Sequence, residues 1–175
     1  KAQEEGCDVL VDCTGTGARH LGGCGTGSGG DGAVRLGRGA TLQFPRLRRE
    51  DDVVVLTEVE PWGTAQDPAY VIPRGGVYVV GGTYHLGEAC RDVLPGERAA
   101  LERTAERMEI PGGNNNRAES WVGFRPVREG MVRCGVDEGD FGDVRVLHNY
   151  GHGGSGWTIG FGSCEDILKE LNLGM

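Results

Sequence analysis

Apolar and polar positions alternate in short runs along most of this chain, and two segments switch to a helical period. The first apolar run, Cys7-Asp8-Val9-Leu10-Val11-Asp12-Cys13, predicts a short strand. Further strands are expected over Ala40 to Phe44 and over Asp52 to Val59. Tyr70-Val71-Ile72-Pro73 and Val77 to Tyr84 read as a hairpin across Arg74-Gly75-Gly76. Leu101, Ala105 and Met108 recur at helical spacing within Gly96 to Glu109, with charges elsewhere on the surface, which predicts an amphipathic helix. Trp121 to Arg128, Met131 to Val136 and Asp143 to His148 read as strands. A last helix is expected over Ile159 to Leu171, carrying Ile159, Ile167, Leu168 and Leu171, with Glu165 and Asp166 in its early part.

Two loops between these elements carry candidate chemistry. Thr14-Gly15-Thr16-Gly17-Ala18 follows the first strand directly. A strand running into such a turn is how α/β sheets meet nucleotide cofactors, and it is also how a plain tight turn is written. The fuller GxGxxG fingerprint, with an acidic residue about 20 positions later, is not in the chain. The second loop runs from His148 to Thr158 and is rich in Gly and Ser. Small residues opening into a helix present bare backbone N–H groups at a positive dipole end, which suits an anion or an electron-rich ring edge. The expected architecture is mixed, α+β / α/β. Residues 1–22 and 143–175 suit a nucleotide-binding layer around a β-rich middle, 40–135, and residues 22–39 read as a Gly-rich flexible loop.

Composition narrows the function classes. The 175 residues can bury a core, and the 33 glycines are clustered rather than periodic. A net charge of −8 without a basic stripe argues against a nucleic-acid surface. No apolar run approaches the ~18 residues of a membrane span. The charged opening, Lys-Ala-Gln-Glu-Glu-Gly, is unlike a secretory signal and reads as the middle of a protein. The six cysteines form no CxxC pair, so buried reduced thiols are expected rather than a metal site.

Several motifs, in order, carry a family resemblance. They are Val9 to Gly17 (VLVDCTGTG), Arg38-Gly39 with Ala40 after it, Ala69 to Pro73 followed by Gly81-Gly82-Thr83-Tyr84, and Val122 to Arg128 (VGFRPVR), leading to the His148–Thr158 loop. Together they resemble the D-amino-acid oxidase family of FAD enzymes, in its fungal branch, over the C-terminal half only. The resemblance implies the C-terminal part of a FAD-binding Rossmann-like domain (1–22 and 143–175) and a mixed β-sheet substrate-binding domain (40–135). The absent N-terminal half would hold the adenylate site.

Arg125 and Arg128 are both candidates to grip a substrate carboxylate, because guanidinium offers two parallel hydrogen bonds. Pro126 biases Arg125 toward an extended conformation, and alternation puts the two arginines on opposite faces. The resemblance selects Arg125 as the clamp and leaves Arg128 as an ion-pair arginine. It also implies substrate contacts from Tyr70 and Tyr84 and from the Gly154 carbonyl, which would accept from the substrate amine. By residue type alone each tyrosine reads as a packing residue. A turn centred on Gly75 would set residue 84 opposite 66, about 13 Å along the strand from Tyr70, so the hydroxyls converge only if the strands bend. Gln66 stands where another branch carries tyrosine. The cofactor contacts implied are Thr14, Gly15, Arg38, Gly153, Gly154, Ser155, Gly156, Trp157 and Thr158. Donors at the start of the last helix would stabilise charge on the flavin ring, and Thr158 could add a donor or cap that helix. Ser155 replaces a usual Tyr and Trp157 a usual Leu. His148 and His152 lack a nearby carboxylate in sequence and read as structural hydrogen-bonding groups.

The activity implied is oxidative deamination of D-amino acids. The α-hydrogen leaves as hydride to flavin N5, the imino acid hydrolyses to a keto acid and ammonia, and oxygen is reduced to hydrogen peroxide. Acidic substrates would need a further cation. The sequence pattern turns neither Arg74 nor His85 inward, so neutral D-amino acids are expected. Alternatives are another FAD-dependent amine oxidase (a D-aspartate or glycine oxidase) or a non-catalytic remnant of the fold. The expected partners are a small-molecule D-amino acid and oxygen, with a homodimer as the assembly considered and no nucleic acid or membrane. The expected location is intracellular, peroxisomal or cytoplasmic, although Leu173-Gly174-Met175 is not a peroxisomal tripeptide.

Overall fold

Nine strands and two α-helices are present among the described residues of the computed structural model, which are 6–21, 30–45, 55–57 (backbone only), 68–110 and 118–173. In chain order these are β1 (Val9–Asp12), a 3-10 helix (Gly15–Arg19), β2 (Val34–Pro45), β3 (Val55–Thr57), β4 (Ala69–Arg74), β5 (Val77–Gly81), β6 (His85–Leu86), α1 (Pro95–Arg107), β7 (Glu119–Arg128), β8 (Arg133–Val136), β9 (Arg145–Tyr150) and α2 (Gly156–Glu170). The strands make a three-stranded sheet, β1-β9-β8, and a six-stranded sheet, β3-β4-β5-β2-β6 with β7 paired to β2. The mixture is α+β. The chain divides into two compact units, Lys1–Gly37 with Arg125–Met175, and Arg38–Phe124.

The Arg38–Phe124 unit follows from alternation. Ala40, Leu42 and Phe44 of β2, Val71 of β4, and Tyr78 and Val80 of β5 all point to one face. Leu101 and Ala105, one helical turn apart on α1, cover that face. Met108 packs beside them, as its spacing predicts. Pro95 opens α1, where its fixed φ is already helical and its missing N–H costs nothing. The Glu97 carboxylate accepts the Leu94 N–H at 2.9 Å and closes the first turn. The hairpin is tighter than expected: Arg74 pairs with Val77, so the turn is Gly75-Gly76, and Gly75 takes a left-handed φ of +59°. Tyr70 pairs with Gly81, where β5 ends. Tyr84 therefore lies beyond the strand, and the spacing expected from a longer hairpin does not apply to it.

In the other unit β1 runs parallel to β9, β8 runs antiparallel to β9, and α2 packs on β8 and β9. Its interior mixes apolar and charged groups, with Val144, Val146, Leu147 and Ile167 buried. Ala18, Val34 and Tyr150 cluster together, while Asp12, Asp31, Asp137 and His148 are also buried.

Several sequence expectations change here. The expected Gly-rich loop over 22–39 gives way to strand from Val34 onward, because Val34 is buried while Arg35 is exposed in the alternation of β2; residues 22–29 lie outside the described set. Strand β9 continues through Tyr150, so the Gly-rich loop begins at Gly151. Helix α2 starts at Gly156, which puts Glu165 and Asp166 in its later half and buries only Ile167 of its named apolar residues. Residues 125–135, expected with the middle, belong to the unit of the three-stranded sheet, where β8 pairs with β9. The five described cysteines are free thiols, but Cys7, Cys13, Cys134 and Cys164 are exposed rather than buried. The strand expected over Asp52 to Val59 is seen as β3, and its remainder, Gln66 and the Asn114–Asn116 loop lie outside the described residues. No described helix is long and apolar enough to cross a membrane.

Candidate functional site

The residues expected to act on substrate and cofactor fall in both units, so each group is built up within its own unit.

In the three-stranded-sheet unit, two loops leave the C-terminal ends of the parallel pair β1 and β9. After β1, the Asp12 carboxylate accepts the Thr14 N–H at 3.0 Å and the Thr14 hydroxyl at 2.6 Å. That bond shapes the turn and commits the Thr14 hydroxyl to the fold. Gly15 has φ +60°, and a Cβ there would sit 3.6 Å from the Pro126 ring. After β9, the backbone folds tightly against β7. The Gly153 N–H donates to the Pro126 carbonyl at 2.9 Å, and Val127 bridges His152. A Cβ on Gly151 would lie 2.7 Å from Arg128 Cβ, so this position requires glycine. A Cβ on Gly154 would lie 3.6 Å from Arg125 Cδ, so the chain passes directly beside the Arg125 side chain. The expected clamp and the expected amine acceptor are neighbours.

The loop ends at Ser155, the N-cap of α2, which makes no side-chain cap. The N–H groups of Gly156 and Trp157 occupy the first helical positions, where an α-helix has no internal acceptor for them. The Thr158 N–H bonds the Ser155 carbonyl at 3.0 Å, so it is not a spare donor, and Thr158 lies inside the helix rather than at its cap. Trp157 is 96% exposed and packs against nothing in this unit. His152 Nε2 is buried without a hydrogen-bond partner beside this loop. An uncapped helix start, a glycine cradle and an orphaned imidazole nitrogen fit the polar edge of a planar cofactor ring.

Beneath the loops lies a charged network that sequence reasoning missed. His148, buried in β9, holds Asp137 Oδ2 at 2.6 Å through Nε2 and turns Nδ1 toward Asp12 Oδ2 at 3.4 Å, too poorly aligned for a hydrogen bond. Asp31 accepts the Tyr150 hydroxyl and the Arg128 Nε, both at 2.8 Å. Arg128 is thus ion-paired with Asp31, and His148 is bonded within the interior of this unit. Burial pushes the Asp31 carboxyl up, but bonds from Arg128, Tyr150 and the Ala33 N–H outweigh it and hold it below the usual carboxylate range. Burial and the Asp31 bond push the Tyr150 phenol up to about 12. Asp31 sits next to a Gly-rich run, and nothing in its local pattern marks it; only folding brings it to residues more than ninety positions away.

In the Arg38–Phe124 unit the sheet face opposite α1 carries the other candidates. Register places Tyr70, Gly81 and Thr41 in one row across β4, β5 and β2, and Ile72, Val79 and Gln43 in the next. With Arg74 and Trp121 these side chains line a cavity of about 470 Å³. The Tyr70 ring lies flat across Gly81 and Gly82: a Cβ on Gly82 would be 2.7 Å from it, and one on Gly81 would overlap it. The Thr41 hydroxyl is buried without a partner. Alternation in β2 and β4 could have selected Thr41, Gln43, Ile72 and Arg74, had the register been known.

The cofactor contact expected of Arg38 is corrected here. Its side chain is completely buried, paired through both Nη atoms with the Glu97 carboxylate and bonded to the Cys90 and Asp92 carbonyls at 2.8 and 2.6 Å. These bonds hold α1 to β2. His85 is likewise engaged, 3.0 Å from Glu97. Tyr84 is half-buried just after β5. No cluster of three metal-ligating side chains occurs among the described residues.

A family model described as FAD dependent oxidoreductase matches residues 1–169. The D-amino-acid oxidase of Rubrobacter xylanophilus is 35% identical over 164 residues, covering 93% of this chain and 45% of that protein. The D-amino-acid oxidase of Dictyostelium discoideum is 32% identical over 176 residues, covering 96% and 44%. The chain thus spans a little under half the length of these relatives. Among solved structures, glycine oxidase from Geobacillus kaustophilus shares the fold with a TM-score of 0.61 at 20% identity, over 82% of this chain and 36% of that one. The chain belongs to the DAO family of FAD dependent oxidoreductases.

Proposed function

We propose that the protein containing this chain oxidatively deaminates D-amino acids, neutral ones among them, to 2-keto acids and ammonia. The observation that carries the reading is the packing of Gly154 beside Arg125. A substrate's α-carboxylate and α-amine branch from one carbon, so their two receptors must be neighbours. Arg125 holds the carboxylate through paired hydrogen bonds, and the Gly154 carbonyl accepts from the amine. Together they fix the face that Cα presents. Tyr70 and Tyr84 are assigned as carboxylate-binding residues on the family resemblance, since each hydroxyl can donate one hydrogen bond. The cradle from Gly153 to Gly156, with Ser155 and Trp157, holds the flavin ring, and the N–H groups of Gly156 and Trp157 stabilise negative charge there. Gly15 lets the turn after β1 approach the cofactor closely. When bound, FAD supplies the hydride acceptor for the substrate Cα–H bond and passes the electrons to oxygen, giving hydrogen peroxide. The protein residues orient the substrate against the cofactor.

The test is Arg125→Met in the full-length oxidase, with D-alanine as substrate and flavin content measured by absorbance. Turnover should fall by about 100-fold or more, as expected for loss of a bidentate charged contact, while flavin is retained. Turnover surviving at the wild-type level would remove Arg125 from the clamp role.

A further inference from the structure

We propose that Cys134 on β8 and Cys164 on α2 are a reversible redox pair that closes to a disulfide when a hydroperoxide oxidises them. Cys13, just after β1, completes a cluster of three thiols around this pair. All three belong to the three-stranded-sheet unit, and the site is independent of the substrate proposed above.

Register brings the thiols together. Cys134 pairs with Asn149 across β8 and β9. Asp12 pairs with His148 across β1 and β9, so Cys13, the next residue, continues the row on the other side of Asn149. The Asn149 Nδ2 is 3.9 Å from the Cys164 Sγ, so this row faces α2, and Cys164 stands over its middle. The Cys134 thiol reaches the Ser163 carbonyl at 3.4 Å, one residue before Cys164.

Electrostatics agree with this placement. Partial burial, then Asp12 and Cys164, pushes the Cys13 thiol up. Partial burial, then Asp166, Cys164, Cys13 and Glu170, pushes the Cys134 thiol up. The three sulfurs are thus close enough to feel one another's charge, and Cys13 and Cys134 are held as protonated thiols at neutral pH.

Distance selects the pair. Cys13 and Cys134 stand on either side of β9, about 10 Å apart between Cα atoms. That is beyond the roughly 7 Å a disulfide can span, so Cys164 is the common partner. The Ser163 oxygen lies about 2.8 Å from the Cys164 Cα, and the Cys134 sulfur about 2.8 Å from its own Cα. With the 3.4 Å contact between them, the two Cα atoms are at most about 9 Å apart. An approach of about 2 Å by α2 then suffices. The helix is lightly seated: Ile167 is its one buried residue, and a Cβ on Gly160 would meet nothing within 4 Å.

The chemistry takes two steps. One thiolate attacks a peroxide oxygen, the O–O bond breaks, and the sulfur becomes a sulfenic acid as an alcohol or water leaves. The second thiolate attacks that sulfur, the S–S bond forms, the S–O bond breaks and water leaves. The pair loses two electrons to the hydroperoxide, and both thiol hydrogens leave in the products. A dithiol reductant reverses the bond, which ties α2 to β8 while it lasts.

The experiment treats the full-length protein, reduced and desalted, with hydrogen peroxide at about pH 8.5, where thiolate is present. The protein is then alkylated and digested with trypsin without reduction. Cleavage after Arg133, Arg145 and Lys169 puts Cys134 and Cys164 in separate peptides. A linked species two hydrogens lighter than the sum of these peptides should appear and should vanish with dithiothreitol. It should form at least about 10-fold faster than in denaturing urea, because the fold holds the thiols together. Cys13→Ser should keep the link, and Cys134→Ser should abolish it. The assignment is wrong if both peptides return fully alkylated, if Cys164 is recovered only as an overoxidised acid or joined only to Cys13, or if urea does not slow the link.

Discussion

Gly81→Ala separates packing from chemistry at Tyr70. Gly81 and Gly82 have no positive φ, so an alanine costs little in backbone conformation. The obstacle is the Tyr70 ring. Even the milder case, a Cβ at Gly82, stands 2.7 Å from that ring. Against an ordinary carbon contact of about 3.5 Å, the ring must retreat by about 0.8 Å there, and further at Gly81. The atoms met are the far end of a side chain on an open face, so the ring swings away rather than the sheet opening. The stability cost should be about 1 kcal/mol, within the range for an off-rotamer side chain. On the proposed role of Tyr70 as a carboxylate donor, the functional cost is larger. Loss of a hydroxyl bond to a carboxylate is worth about 1.5–3 kcal/mol, or roughly 10- to 150-fold in kcat/KM. The assay is kcat/KM for D-alanine with wild type, Gly81→Ala, Tyr70→Phe and the double variant, alongside urea unfolding. If the methyl acts only by displacing the Tyr70 hydroxyl, the double variant should be no worse than the poorer single one. Fully additive losses, or a Gly81→Ala enzyme with wild-type kinetics, would refute the reasoning.

Two further outcomes concern stability. Arg38→Met leaves the buried Glu97 carboxylate without its cation and should cost about 3–5 kcal/mol, read as a lower urea midpoint, with Arg38→Met/Glu97→Gln recovering much of it. Asp31, Glu97 and Asp137 are all held below their ordinary values: burial opposes the shift, and bonds from Arg128, Arg38 and His148 respectively overcome it. The folded state then binds fewer protons than the unfolded one near pH 4, so this stabilisation is complete above about pH 4 and is lost as pH falls further. Tyr150 runs the other way, with its phenol raised to about 12. Its contribution is complete below about pH 10 and is lost on going toward pH 12. Urea midpoints across pH check both limbs, and Tyr150→Phe should flatten the alkaline one.

The elements and the family were legible in the sequence. Alternation in Ala40–Phe44 and in Tyr70–Pro73, and the helical spacing of Leu101, Ala105 and Met108, are local signals that burial then uses directly. The loop from Gly151 to Ser155 was legible from its small residues, of which Gly151 is required by its close approach to Arg128. Val34 was hidden among glycines, and the start of α2 was misplaced because Gly156, Gly160 and Gly162 dilute its pattern.

Register and ion pairing were decided by the tertiary structure alone. Nothing near Arg38 in sequence shows that Glu97, 59 residues away, would take up its guanidinium. Nothing near Arg74 shows that Thr41 and Gln43 would share its cavity. The same gap separates Asp31 from Tyr150, 119 residues apart. The amino-acid sequence by itself determines which residues can form strands, tight turns and a helix start, because those depend on neighbours within a few positions. Which charges meet in the interior, and which polar side chains face one cavity, depends on pairings closed over long loops, and these exist only once the sheets have formed.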